Sequence, residues 1–154
     1  MKIISYLIEA HIIRQTKNNL EFLLMKRAEH EKYPGIWQMV TGEIMPNEKA
    51  YQTAIREINE ETGLSPEKFW VVPNINSFYS PEQDLICLLP VFAALVNHNI
   101  PVKISGEHVE YKWVNKIEAQ KLLAWPGQRE SVEIIYNYFV NEQVNLKFVE
   151  IDMK

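Results

Sequence analysis

Three glutamates, Glu57, Glu60 and Glu61, stand in one short run, Arg56-Glu57-Ile58-Asn59-Glu60-Glu61-Thr62-Gly63. On a helix turning by about 100° per residue, with Glu57 at zero, Glu61 falls at about 40° and Glu60 at about −60°. The three carboxylates therefore share one flank. Ala50 and Ala54 fall on that flank too, and their small side chains let another segment approach closely. Crowded carboxylates in a tight approach are costly unless positive charge neutralises them. A hard divalent cation with oxygen ligands and retained waters suits such a set, and Mg²⁺ on a few carboxylates plus substrate phosphates is the chemistry indicated, with Mn²⁺ as a substitute. Arg56 is placed to orient the cluster through bidentate hydrogen bonds.

The element that must hold these groups is a helix over about Glu48 to Thr62. Asn47 is the expected N-cap, and Glu48 lies in the first turn, where negative charge is favoured. Gly63 is a natural residue after the last turn, Leu64 follows with an apolar contact, and Pro66 prevents continuation. Tyr51, Ile55, Ile58 and Thr62 share the opposite side and form the expected core stripe. Gly42, ahead of the helix, indicates a close backbone approach or an unusual backbone conformation.

From Gly42 the spacing reads G, five residues, Glu48, seven residues, then Arg56-Glu57-Ile58-x-Glu60-Glu61-x-Gly63-Leu64, and nine defined positions are met over 23 residues. This segment resembles the signature box of the Nudix hydrolases. The resemblance implies an α/β/α sandwich with a mixed sheet, and an enzyme acting on phosphoric anhydride bonds. It implies Glu57 and Glu61 as metal ligands, with Glu60 beside them as ligand or base. It also implies that the backbone carbonyl of Thr41 ligates metal, as in some members.

Composition sets bounds. A chain of 154 residues, 47% hydrophobic and 23% charged, fits one domain over 1–154 with a sizeable core. The net charge of −4 argues against a nucleic-acid polymer bound through a basic surface, while a metal can still bring a nucleotide to an acidic site. The single cysteine, Cys87, excludes an internal disulfide framework and fits a reducing compartment. The N-terminal apolar stretch is interrupted by Glu9, His11 and Arg14 and is too short for a signal or membrane segment, so the expected location is the cytoplasm. The expected partner is a small phosphoanhydride substrate, with the chain a monomer or homodimer and no membrane contact.

The remaining elements follow from pattern. Residues 3–14 are expected as one strand, Asn18-Asn19 as a hairpin turn and Glu21–Lys26 as its antiparallel partner. Arg27 ends that strand, and Ala28–Pro34 is a charged loop. Trp37 lies on the entry to the box, as packing or as a stacking platform. Phe69–Val72 and Ile75–Tyr79 are strand material bent at Pro73-Asn74, followed by a turn over Ser80–Asp84. Leu85–Val96 is a buried strand, irregular near Pro90. Val102–Ile104 is a candidate edge strand. Val109–Val114 alternates, with Val109, Tyr111 and Trp113 on the expected inner face. Lys116–Ala124 is a short helix, Pro126-Gly127 a break, and Gln128–Asn141 the last long helix. Strands and helices in this order imply an α/β sandwich with helices on both faces of a mixed sheet.

A second resemblance lies outside the box. Trp37–Gly42, Gly106–Val114, Leu122–Trp125 and Gln128-Arg129 are similar to bacterial dihydroneopterin triphosphate diphosphatases, a Nudix subfamily that also acts on dATP. It implies Glu107 as a further metal-linked glutamate or base, and Arg27 and Thr41 as substrate contacts. Ala124 departs from the serine of that subfamily and removes a hydroxyl that would contact substrate. Pro81, 17 residues after Leu64, is a mark of nucleoside-diphosphate-sugar hydrolases, and Tyr79 is one of dinucleoside polyphosphate hydrolases. Trp37, Phe78 and Tyr79 are the candidate ring contacts. The expectation is a pyrophosphohydrolase releasing pyrophosphate from a triphosphate. The alternatives are an ADP-ribose-type or dinucleoside polyphosphate hydrolase, or a nucleotide-sensing module without catalysis.

Overall fold

The computed structural model describes residues 1–154. It has eight strands: β1 (Lys2–Ile4), β2 (Leu7–Thr16), β3 (Asn19–Arg27), β4 (Trp37–Gln38), β5 (Val40–Glu43), β6 (Lys68–Ser80), β7 (Leu85–Leu95) and β8 (His108–Val114). The helices are α1 (Ala50–Thr62), α2 (Lys116–Leu122), α3 (Pro126–Asn141) and the short α4 (Gln143–Leu146). The sheet is mixed: β7 runs parallel to β1 and β2, and β6 runs antiparallel to β7. No helix is long and apolar enough to cross a membrane.

Alternation along the strands builds two cores. Phe22 and Leu24 pack with Val132, Ile135 and Phe139 of α3 and Ala119 of α2. Their neighbours Leu23 and Met25 point the other way, onto Ala54 and Ile58 of α1. The same switch separates Val91 and Ala93 from Phe92 and Ala94 on β7. Helices thus cover both faces, and α1 with its glutamates is pinned to one of them.

Several boundaries differ from the sequence reading. The single strand over 3–14 is two strands broken at Ser5-Tyr6, because β1 pairs only with β7 while β2 pairs with β3, β5 and β7. α1 begins at Ala50, not Glu48. Asn47 has φ 67°, a left-handed turn conformation, and does not cap; the Gln52 side chain accepts from the Lys49 amide instead. Thr53, outside the expected core stripe, is fully buried. β6 runs through Pro73-Asn74 with a register shift opposite Pro90, which has no N–H to give to the ladder.

Val102–Ile104 is not a strand. Lys103 N donates to Thr62 O (2.9 Å) and Ser105 N to Glu61 O (3.2 Å), so this segment straps the end of α1 and satisfies carbonyls the helix leaves free. On β8, Val109 and Tyr111 face solvent rather than the core. Pro126 opens α3 at its first turn, where its missing N–H costs nothing. The C-terminal segment closes the start of β6, with Val71 N on Val149 O and Ile151 N on Phe69 O, both at 2.8 Å.

Gly63 ends α1 at φ 72° as expected, with its N–H on Asn59 O. A Cβ there would meet only Lys103 Cβ at 3.5 Å, an ordinary contact. The cost of Gly63→Ala is then the backbone conformation alone, about 1–2 kcal/mol. Chemical denaturation should show that loss; an unchanged midpoint would contradict the left-handed cap.

Candidate active site

The glutamate flank of α1 opens into a cavity of about 430 Å³ with no hydrophobic lining: Glu31, Glu57, Glu60, Glu61 and Glu107 face it, with His30, Ser105 and Gly106. The strap from 102 to 105 delivers Ser105-Gly106-Glu107 to the helix end, which brings Glu107 to the cluster despite its distance in sequence. Oxygens of Glu61 and Glu107 and a ring nitrogen of His108 lie within 4.8 Å of one another.

Arg56 is the hub of the helix side. Its Nε and Nη2 donate to Glu48 (2.8 and 3.0 Å), its Nη1 to Glu57 (2.8 Å) and Glu60 (3.2 Å), and its Nη2 also reaches Glu43 O at 3.2 Å. Thr53 Oγ1 donates to Glu48 as well. These donors, Arg56 first and Thr53 next, lower the Glu48 carboxyl to about 2. Displaced from the helix, Glu48 is thus the arginine's anchor, a role the sequence reading did not give it. Gly42 is explained by close approach: a Cβ would fall 2.3 Å from Glu57 Cγ.

Glu61 is the exception. Its side chain is only 3% exposed, and neither carboxylate oxygen has a hydrogen-bond partner. Burial first, then the charges of Glu107 and Glu57, push its carboxyl up to about 9. Burial also raises Glu57, against the pull of Arg56. A buried, unpartnered carboxylate beside two others is a site lacking positive charge. A divalent cation would fit that lack, and Glu57, Glu61 and Glu107 are the carboxylates that could hold it.

The other sequence candidates are dispersed. Arg27 borders the cluster, with its Nη2 at 3.3 Å from Glu31 and its Nε on Lys32 O. Thr41 sits on β5 opposite Glu9, next to Gly42 but outside the cavity lining. Trp37 packs against the core on the α3 side with Lys112 Nζ 4.7 Å from its ring centroid, which places it as packing. Phe78 and Tyr79 lie exposed on distal β6, and the Tyr79 hydroxyl donates to Asp84 (3.0 Å). Neither lines the cavity. Sequence reasoning also missed a buried polar group on the α3 side. Glu9 accepts from Asn76 Nδ2 (2.6 Å), while Glu9 Oε2, His11 Nε2 and Gln128 Oε1 have no partner. Glu9 and His11 alternate with buried Ile8, Ala10 and Ile12, a pattern that on its own marks them as the solvent side.

Residues 8–134 match the NUDIX domain family model. A bis(5'-nucleosyl)-tetraphosphatase (asymmetrical) of Mus musculus is 25% identical over 126 residues, 80% of this chain and 84% of that protein. A dihydroneopterin triphosphate diphosphatase of Haemophilus influenzae is 26% identical over 143 residues, 84% and 85% of the two chains. The solved MutT protein of Methanosarcina mazei superposes with a TM-score of 0.71 at 26% identity, over 91% of this chain and 96% of that one. The chain belongs to the NUDIX family and is a hydrolase of phosphoric anhydride bonds.

The raised Glu61 carboxyl gives a pH signature. Between its ordinary value of 4.5 and about 9, the folded metal-free protein holds a proton that the unfolded chain has released. That contribution to stability is complete below 4.5 and is lost as pH rises toward 9. Glutamine mimics the protonated form throughout. The melting temperature of metal-free Glu61→Gln should therefore gain on wild type steadily across this range, with turnover lost even at high Mg²⁺. A difference independent of pH would contradict the buried carboxyl, and near wild-type turnover would remove Glu61 from the site.

Proposed function

We propose that this hydrolase is Mg²⁺-dependent, with Mn²⁺ as a substitute, and cleaves a triphosphate of the nucleoside or dihydroneopterin type to a monophosphate and pyrophosphate. The observation that carries the reading is Glu61, buried without a partner at a cavity walled by carboxylates. Such a cavity accepts a phosphate chain only together with cations. A bound divalent ion supplies charge neutralisation on the phosphates and acidifies the attacking water.

The chain's own residues would divide the remaining work. Glu57 and Glu61 hold the metal, joined by Glu60, the Thr41 carbonyl or both. Arg56 keeps Glu57 and Glu60 in place. Glu107 is either a further ligand or the group that takes the proton, a role for which Glu60 is the other candidate. Arg27, which borders the cavity through Glu31, would contact a phosphate. Phe78, Tyr79 and Trp125 are exposed aromatic candidates for a ring contact, while Trp37 is partly buried against the core. The triphosphate reading draws on the Haemophilus relative and the motif around Glu107. The named activity of the mouse relative favours a second reading, a bis(5'-nucleosyl) tetraphosphate.

A substrate panel with identified products, run with and without Mg²⁺, decides between them. Triphosphates should give monophosphate and pyrophosphate only with the metal, and ADP-ribose should be poor. A bis(5'-nucleosyl) tetraphosphate with the highest kcat/KM moves the assignment to the second reading. ADP-ribose ahead of every triphosphate overturns both.

Glu107→Gln separates the two roles of Glu107. A lost ligand raises the Mg²⁺ requirement. A lost base cuts kcat by about 100-fold or more and flattens the acidic limb of the rate profile. A change in both under about twofold, roughly 0.4 kcal/mol, makes Glu107 a surface acid.

A further inference from the structure

His108 does not line the acidic cavity, yet its side chain is more deeply buried than that of Glu61, which does. A bulge puts it there. Lys26 pairs with Glu110 and Arg27 with His108, so Val109 is an extra residue, turned out to solvent. Without it, β8 alternation would bring Val109 opposite Arg27. Bulges commonly re-aim one side chain in this way. The re-aimed imidazole is fully buried, with one ring nitrogen on each side of a contact.

On one side, Gln38 Nε2 lies 3.0 Å from His108 Nε2, and Gln38 is itself buried. An amide nitrogen only donates, so Nε2 of the ring must accept. A neutral imidazole then carries its proton on Nδ1. On the other side, Nδ1 lies 3.9 Å from Glu61 Oε1 and has no other partner. That separation exceeds a hydrogen bond, and Glu61 is the one carboxylate within 4.0 Å of the ring. The reversed amide would place the proton on Nε2 and aim the Nδ1 lone pair at the carboxylate, which the ionised Glu61 of a metal-filled site disfavours.

We propose that Gln38 and His108 form a buried relay that presents Nδ1–H to Glu61 and orients its carboxylate toward the metal. His108 is thus a positioning residue, acting through Glu61, and not a ligand. The inference rests on the reading of Glu61 as a metal-holding group. It separates from direct ligation by a single feature: a ligating Nδ1 must be bare, whereas a positioning Nδ1 carries hydrogen.

The first test reads the tautomer with the site filled, where Glu61 is ionised. Long-range ¹H–¹⁵N correlation spectra of the uniformly labelled, Mg²⁺-saturated protein report the tautomer of each of its four histidines, and the spectrum of His108→Asn assigns the signal. The relay requires Nδ1 protonated and Nε2 bare. The opposite tautomer overturns it, however the variants fold. The second test is Mg²⁺ affinity by calorimetry. His108→Ala should bind Mg²⁺ about 10-fold more weakly, a typical effect of removing an outer partner. His108→Asn, whose side-chain N–H takes the place of Nδ1–H, should recover most of the loss. Wild-type affinity in His108→Ala overturns the relay and leaves the metal reading intact. Wild-type protein that takes up no Mg²⁺ overturns both.

Discussion

Glu61 sets the terms for the rest of the structure. Its carboxylate is buried beside Glu57 and Glu107 with no hydrogen bond to either oxygen. Burial without a partner makes the ionised form of this group costly and holds the unfilled site as the neutral acid, so such a site is kept only where the surrounding fold enforces it. Here the enforcement is visible. Ala54 and Ile58 fix α1 on the sheet, and Gly42 lets β5 pass against Glu57. The strap over 102–105 clamps the helix end and brings Glu107 to the cavity. Each device brings negative charge closer together, which is unfavourable unless a cation is part of the working state.

Arg56 shows the same logic from the other side. One guanidinium reaches Glu48, Glu57, Glu60 and a backbone carbonyl, and so spends its donors on the outer part of the cluster. It does not reach Glu61. The cluster is therefore split into a half neutralised by protein and a half that is not. The second half faces the cavity and the sole buried imidazole near it, His108. A scaffold that merely tolerated an acidic surface would have no reason to leave the most buried carboxylate of this cluster without a counter-charge.

Much of the site was legible in the sequence because it is local. Glu57, Glu60 and Glu61 lie within two turns of one helix, and helical spacing alone places them on a flank. Gly63, with its positive φ, marked the end of that helix, and the polar run 16–19 marked the first hairpin, although its turn is Lys17-Asn18 and Asn19 already belongs to β3. What was lost depended on partners distant in the chain. The break at Ser5-Tyr6 is invisible as composition, since both sides are apolar and only the change of neighbours divides them. Glu48 is read as part of the helix until Arg56 and Thr53 are seen to claim it. The inner face of β8 was misread because the bulge at Val109 and the exposure of Tyr111 are set by β3, not by alternation. Glu9 and His11 are buried because α3 covers that face of the sheet, a tertiary fact with no local signal. Glu107 was found only through its motif; its position beside Glu61 is made by backbone bonds from a segment that spacing had suggested was a strand.

The central claim is that the space between Glu57, Glu61 and Glu107 is a divalent metal site. Anomalous diffraction from crystals soaked in Mn²⁺ tests it directly. The account predicts a strong anomalous peak at coordinating distance from carboxylate oxygens of Glu57 and Glu61, with Glu107 drawn toward it. A cavity without a peak at saturating Mn²⁺, or a peak bound elsewhere on the protein with Glu61 still unpartnered, would contradict it.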